Sequence, residues 1–240
     1  MSPMCQYSGS DGMPSNWHMV HLGTRASGGA GIVMMEATAV TPAGRISPWC
    51  LGIWSDKHSE AYLPITNFIK SQGAIPAIQL AHAGRKASTN PGQYGGGILT
   101  SNNGGWQPVG PSEIPYDKKS LAPKKLSTED ISQLVKAWAT AAQRSLDAGF
   151  QIIELHFAHG YLNHEFLSEK SNKRNDQYGG PLENRARFSL EIIKGVRSIW
   201  PDDLPLLVRI SADEYIEDGF DINQSMMLLC LMNLQNLHFA

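Results

Sequence analysis

The chain has 240 residues, 42% of them hydrophobic and 18% charged, with a formal net charge of −2 at pH 7. This is an ordinary globular composition, and it excludes the basic field that nucleic-acid binding needs. Cys5, Cys50 and Cys230 form no C-x-x-C pair, which excludes a disulfide framework and a structural zinc site and fits a reducing, cytoplasmic setting. No apolar run approaches the ~18 residues of a membrane span, and Met1–Cys5 lacks the basic start and long apolar stretch of a signal peptide.

Gly9, Gly12 and Pro14 make the first residues a loop, and Ser15 or Asn16 is placed to cap a helix running to about Ser27. Gly31–Ala37 is a nearly continuous apolar run, the pattern of a strand buried on both faces. A loop from Pro42 to Ser55 holds Arg45, Trp49 and Trp54. The next helix reaches about Gln72, with Ile65, Phe68 and Ile69 at helical spacing and Pro64 expected in its first turn. A second strand covers Ala74–Leu80. The long stretch at about 84–126 is rich in Gly, Pro, Asn and Ser and reads as a binding loop or lid, flexible around Gly92–Gly105. Ser127 and Asp130 make a capping box for a helix whose apolar face is Ile131, Leu134, Val135, Trp138, Ala141 and Ala142, ended by Gly149. The third strand, Phe150–Leu155, runs into a crowd of proton-handling groups: His156, His159 and Tyr161, with His164 beyond. Pro181 opens a helix with Phe188, Ile192, Val196 and Ile199 on one face, and Pro201 stops it. Pro205–Ser211 is the last strand.

Helices thus alternate with short, wholly apolar strands, the grammar of a parallel sheet with helical crossovers. Glu36, Gln79, His82, His156 and Arg209 fall at strand C-terminal ends, where a TIM (β/α)8 barrel keeps its active site. No G-x-G-x-x-G follows the first strand, so a dinucleotide-binding open sheet lacks its fingerprint. The chain is expected to be one α/β domain over 1–240.

Four segments carry a family resemblance: Ser2–Ser8 (SPMCQYS), Ile78–Lys86 (IQLAHAGRK), His156–Tyr161 (HFAHGY) and Asn172–Arg185 (NKRNDQYGGPLENR). Together they resemble the old yellow enzyme family, and Cys5 points to its bacterial, thermophilic-like branch of flavin-dependent ene-reductases. The resemblance implies an FMN-containing barrel. NADPH would reduce the flavin, which would pass hydride to the β-carbon of an α,β-unsaturated carbonyl compound. It also implies roles. Ser2 and Pro3, with Met4, match contacts near the ribityl chain. Cys5 matches the thiol beside the N5/O4 edge, Ala37 a backbone contact to the ring, Gln79 the amide at the pyrimidine end and Arg209 the cation facing N1/O2. His156 and His159 match the pair gripping the substrate carbonyl, Tyr161 the proton donor and Tyr7 a substrate-side phenol. Longer members are expected to form homo-oligomers.

The same resemblance places the first residue at about the end of barrel strand 1 and the last after helix 5, making this a partial barrel. The family's phosphate-binding strands would lie beyond residue 240. The stretch Ser225–Leu234 is apolar all round where an amphipathic helix is expected, which suggests a truncated or frame-shifted end. Two other readings compete. A metal-dependent barrel hydrolase would use Glu154, His156, His159, His164 and Glu165, although no H-E-x-x-H or H-x-H pair is present. A truncated, non-catalytic remnant would keep the motifs without the activity.

Overall fold

A computed structural model describes residues 1–233. Its centre is a four-stranded parallel sheet in the order β1 (Ile32–Ala39), β2 (Ile75–Ala81), β5 (Ile152–Phe157), β6 (Leu206–Ile210). A short parallel ribbon, β3 (Val109–Gly110) with β4 (Lys124–Lys125), lies in the long loop. The helices are α1 (Asn16–Ser27), α2 (Asp56–Ser71), α3 (Thr128–Asp147), α4 (Leu162–Leu167), α5 (Leu182–Arg197) and α6 (Ile222–Asn233). None of the described helices is long and apolar enough to cross a membrane. Met1 donates its amine to the Ile32 carbonyl and accepts from the Met34 amide, so the N-terminal segment bonds along the free edge of β1.

Strand alternation divides the sheet into two chemically different faces. Val33, Met35, Ile78, Leu80, Ile153, Leu155 and Phe157 point to the helices and join the main core. Trp138 of α3 is fully buried there and meets the Phe157 ring edge-on at 5.9 Å. On the opposite face Met34, Ala77 and Ile152 form a small apolar cluster. Two residues further along each strand this face turns polar: Gln79 pairs in register with Glu154, and His156 with Arg209. The register therefore stacks the chemically useful side chains in two successive rows toward the C-terminal ends of the strands.

The capping box forms as expected: Asp130 N–H donates to Ser127 Oγ at 3.0 Å, and Ser127 N–H donates to Asp130 Oδ2 at 2.9 Å. Gly149 takes the left-handed conformation just past α3, with φ of +80°. Pro64 departs from expectation, because it lies in the interior of α2 rather than in its first turn. Its missing N–H leaves the Glu60 carbonyl without an intrahelical donor. Both residues are on the solvent face, where that carbonyl is open to water, while Tyr62, Ile65 and Ile69 anchor the buried face on either side. Pro181 is the N-cap of α5 rather than its first residue.

The Gly92–Gly105 stretch contains two short 3-10 turns, Gly92–Tyr94 and Ser101–Asn103, and a Thr89–Ile98 bridge closes around the first. In α6, Ser225, Leu228 and Met232 are buried while Met226, Met227 and Leu229 stay largely exposed. The helix thus acquires a buried side that its uniform hydrophobicity hid, and Leu234 lies outside the described residues.

Candidate active site

β5 ends at Phe157, and the chain then turns sharply. His159 and Gly160 adopt left-handed backbones with φ of +62° and +69°. Tyr161 is the N-cap of α4, all of whose residues are buried. Three hydrogen bonds fix the turn: His159 N–H to Ser211 Oγ at 2.9 Å, Gly160 N–H to His164 Nδ1 at 2.8 Å, and Tyr161 N–H to the Ala158 carbonyl at 3.2 Å. Because His164 Nδ1 accepts, its proton sits on Nε2. That atom lies 3.2 Å from Glu214 Oε1, off the line of a good hydrogen bond. His164 therefore supports the turn.

The turn brings the expected residues together. The His156 ring is 4.9 Å from that of His159 and 5.2 Å from that of Tyr161, each pair near edge-to-face. His156 is buried, and burial, then His159 and Arg209, lower its pKa to about 3. Exposed His159 is also lowered, by partial desolvation and by Arg209 and Lys86. Both imidazoles are neutral at pH 7, and each carries one N–H donor. His156 Nδ1 is buried with no hydrogen-bond partner among the described residues. Burial pushes the Tyr161 phenol upward, as do Cys5 and Tyr7, so it stays protonated. Tyr7, half-buried with a left-handed φ of +49°, is raised to about 12 by burial and then by Cys5.

The residues expected to face a flavin also cluster. Ser2, Pro3 and Arg209 line one open groove of about 420 Å³ with Met1, Ile32, Met34, Glu154 and Val208. Arg209 forms no ion pair among the described residues, and neither Glu36 nor Asp213 serves it as a salt-bridge partner. The Cys5 thiol is raised well above its ordinary pKa by burial and by Cys50 and Glu36, while bonding to the Ala37 backbone works in the other direction. Cys5 is therefore a neutral thiol beside Ala37. Ala37 and Tyr161 border a second, narrow cavity with Arg45 and Cys50. Gln79 is buried, and its amide donates to Glu154 Oε1 at 2.5 Å, so Glu154 orients the amide. Met4 is 71% exposed. These residues fit a flavin: a guanidinium without an ion-pair partner, a neutral thiol, an oriented amide and an orphaned imidazole nitrogen share one end of the sheet.

The fold also assigns supporting roles to residues around the site. The supporting role of Glu154 could have been found from its i, i+2 relation to His156, which puts both on one face. His18 is buried: its Nδ1 accepts from the Ser15 amide and its Nε2 lies 3.2 Å from Glu36 Oε1. Glu36 Oε2 in turn accepts from the Gln6 amide, tethering the segment that carries Cys5 and Tyr7. His82 is buried, accepts from the Gly84 amide and has its pKa lowered by burial to about 4, which marks it as structural. Among the described residues no three His, Cys, Asp or Glu side chains stand together as a metal site, so the residues named for a hydrolase do not converge.

Comparison with known proteins agrees with this geometry. The chain is 49% identical over 225 residues to an NADPH dehydrogenase of Bacillus cytotoxicus, a match covering 93% of this chain and 60% of that protein. The chain thus spans about three-fifths of the length of this curated relative. Morphinone reductase in complex with tetrahydroNAD superimposes with a TM-score of 0.85 at 27% identity, over 99% of this chain and 67% of the other. The old yellow enzyme homologue of Zymomonas mobilis superimposes with a TM-score of 0.80 at 30% identity, over 97% and 66% respectively. The parallel sheet is accordingly part of an old yellow enzyme (β/α)8 barrel. The family model for the NADH:flavin oxidoreductase / NADH oxidase family matches residues 1–239, and the chain belongs to that family.

Proposed function

We propose that this chain carries the catalytic wall of an FMN-dependent NADPH oxidoreductase that reduces the C=C bond of α,β-unsaturated carbonyl compounds. The observation that carries the reading is the convergence of His156, His159 and Tyr161 at the end of β5, with ring separations of 4.9 and 5.2 Å. Hydride addition to an enone builds negative charge on its carbonyl oxygen. Two neutral imidazoles held by a fixed turn direct N–H donors at that oxygen, and removing one donor of this kind costs about 2.7–4 kcal/mol. Tyr161 then gives its phenolic proton to the α-carbon as the enolate collapses. Bound FMN supplies the hydride-transfer chemistry, with NADPH as reductant, in keeping with the name of the Bacillus relatives. Arg209 would offset the negative charge of a reduced ring, Cys5, Ala37 and Gln79 would hold and tune that ring, and Ser2 and Pro3 would contact the ribityl chain.

The test is anaerobic NADPH oxidation by the FMN-loaded chain, with and without cyclohex-2-enone. Enone-dependent turnover that is lost in Tyr161→Phe supports the reading. FMN binding with no enone dependence overturns it, and failure to bind FMN favours the non-catalytic remnant. Bound zinc in place of flavin would revive the hydrolase.

A further inference from the structure

Lys86 stands outside the roles assigned above, yet it reaches the centre of the site. It ends the 3-10 turn Gly84–Lys86 that follows β2, and it crosses to the turn after β5. Its ammonium donates to the His159 carbonyl at 3.0 Å. The same Nζ lies 4.9 Å from the Tyr161 ring centroid and 4.8 Å from that of Tyr116, so the cation is held between two phenol faces. The carbonyl it holds belongs to a non-glycine residue with φ of +62°, a backbone that persists only when its surroundings fix it. Among the described residues no other Lys or Arg lies over the Tyr161 ring.

We infer that Lys86 is a positioning residue for the proton-transfer step: it locks the His159 carbonyl, and its charge stabilises the phenolate left when Tyr161 gives up its proton. This rests on the proposed role of Tyr161 as proton donor. In that step the Tyr161 O–H bond breaks and a C–H bond forms at the α-carbon. The electron pair stays on the phenol oxygen until solvent returns a proton. The other groups facing the phenol, Cys5, Tyr7, Cys50 and Tyr116, would each add negative charge if they ionised and so favour the neutral phenol. Lys86 acts in the opposite sense. Partial burial lowers the Lys86 pKa below its ordinary value and Arg85 adds to this, while Glu165 favours the Lys86 charge once it is itself ionised.

The experiment is a fluorine-NMR titration of the chain labelled with a polyfluorinated tyrosine, whose free phenol is far more acidic than that of tyrosine and so titrates while the Lys86 ammonium still carries its charge. The chain has seven tyrosines, and the signal lost in Tyr161→Phe identifies the one that matters. Lys86→Met removes both the charge and the donor, Lys86→Gln keeps a donor for the His159 carbonyl, and Lys86→Arg restores the charge. The expected result is a Tyr161 midpoint raised by about one pH unit, a tenfold change, in the Met and Gln variants and returned by Arg. A midpoint in Lys86→Gln within a few tenths of wild type overturns the inference, even if Lys86→Met does not fold. In the FMN-loaded chain the Gln variant should reduce its flavin with NADPH at the wild-type rate but hand the hydride to enone about tenfold more slowly. Because the titration needs no turnover, it decides the matter even if the chain reduces no enone.

Discussion

Glu165 provides the sharpest test of how the site is supported. It is 1% exposed, in α4 directly behind Tyr161. One carboxyl oxygen accepts from the Arg85 amide at 2.8 Å, and the other has no partner among the described residues. Burial raises its pKa from 4.5 to about 8, against the opposing pull of the Arg85 amide and of the Arg85 and Lys86 cations. Between these two values the folded chain binds a proton that the unfolded chain has lost, so stability falls as pH rises. The contribution is fully present below pH 4.5 and is lost by about pH 8. At about 1.4 kcal/mol per pH unit, the interval from pH 5.5 to 8 amounts to roughly 3 kcal/mol. Glu165→Gln imitates the protonated acid: it keeps an acceptor for Arg85 and cannot ionise. Urea unfolding of both proteins at pH 5.5 and pH 8 isolates the effect, because His82 and His156 titrate alike in each and cancel in the difference. The variant should gain about 3 kcal/mol on wild type between the two pH values. A gap that changes by less than about 0.5 kcal/mol would refute the argument that an unpaired acid is buried here.

Other substitutions probe neighbouring parts of the site. Gly84 has φ of +60°, and a Cβ there would stand 2.1 Å from Glu165 Oε1 and 2.9 Å from the Leu162 backbone. Gly84→Ala should therefore destabilise by more than the ~1–2 kcal/mol of the left-handed backbone alone, read as a lowered urea midpoint. Tyr161→Phe should slow enone reduction by about 10²–10⁴-fold while leaving flavin reduction by NADPH intact, as followed by stopped-flow absorbance. His156→Ala should cost about 10²–10³ in the same enone step, and an equal loss in flavin reduction would count against a carbonyl grip. Arg209→Met should weaken binding of reduced FMN more than oxidised FMN, seen as a lower flavin midpoint potential.

Much of the sheet was legible because strand and helix periods are written into adjacent residues. Gly31–Ala37, Ala74–Leu80 and Pro205–Ser211 are bare apolar runs, and Ser127 with Asp130 marks a helix start by local chemistry alone. α4 left no such mark: its six residues are too few to show a period, and all are buried. Pro64 misled because a proline's cost depends on whether the carbonyl it orphans faces water, which follows from tertiary packing. The motif residues His156, His159 and Tyr161 were legible as a group, since they fall within six positions of one another. Their supports were not. Lys86 meets His159 across 73 residues and Arg85 meets Glu165 across 80, and such pairings are set by the barrel rather than by any local pattern.

That separation between visible donors and hidden supports has a chemical reason. A pair of histidines that grips a developing oxyanion must offer N–H groups at neutral pH without becoming cations that trap the bound carbonyl. The surroundings achieve this with like charge and burial: Arg209 and Lys86 both disfavour protonation of His159, and burial does most of the same for His156. The same two cations lie where negative charge would gather, Arg209 in the groove expected to hold the flavin and Lys86 over the Tyr161 ring. One electrostatic arrangement therefore keeps the imidazoles neutral and would favour each anion that the proposed reaction creates. It predicts that enone reduction shows no acid limb near pH 6.5, the ordinary imidazole value, because both rings titrate below it. A rate of the enone step that halves between pH 7.5 and about 6.5 would mean that one of the two rings titrates at the ordinary imidazole value, and the argument that burial and like charge hold both below it would fail.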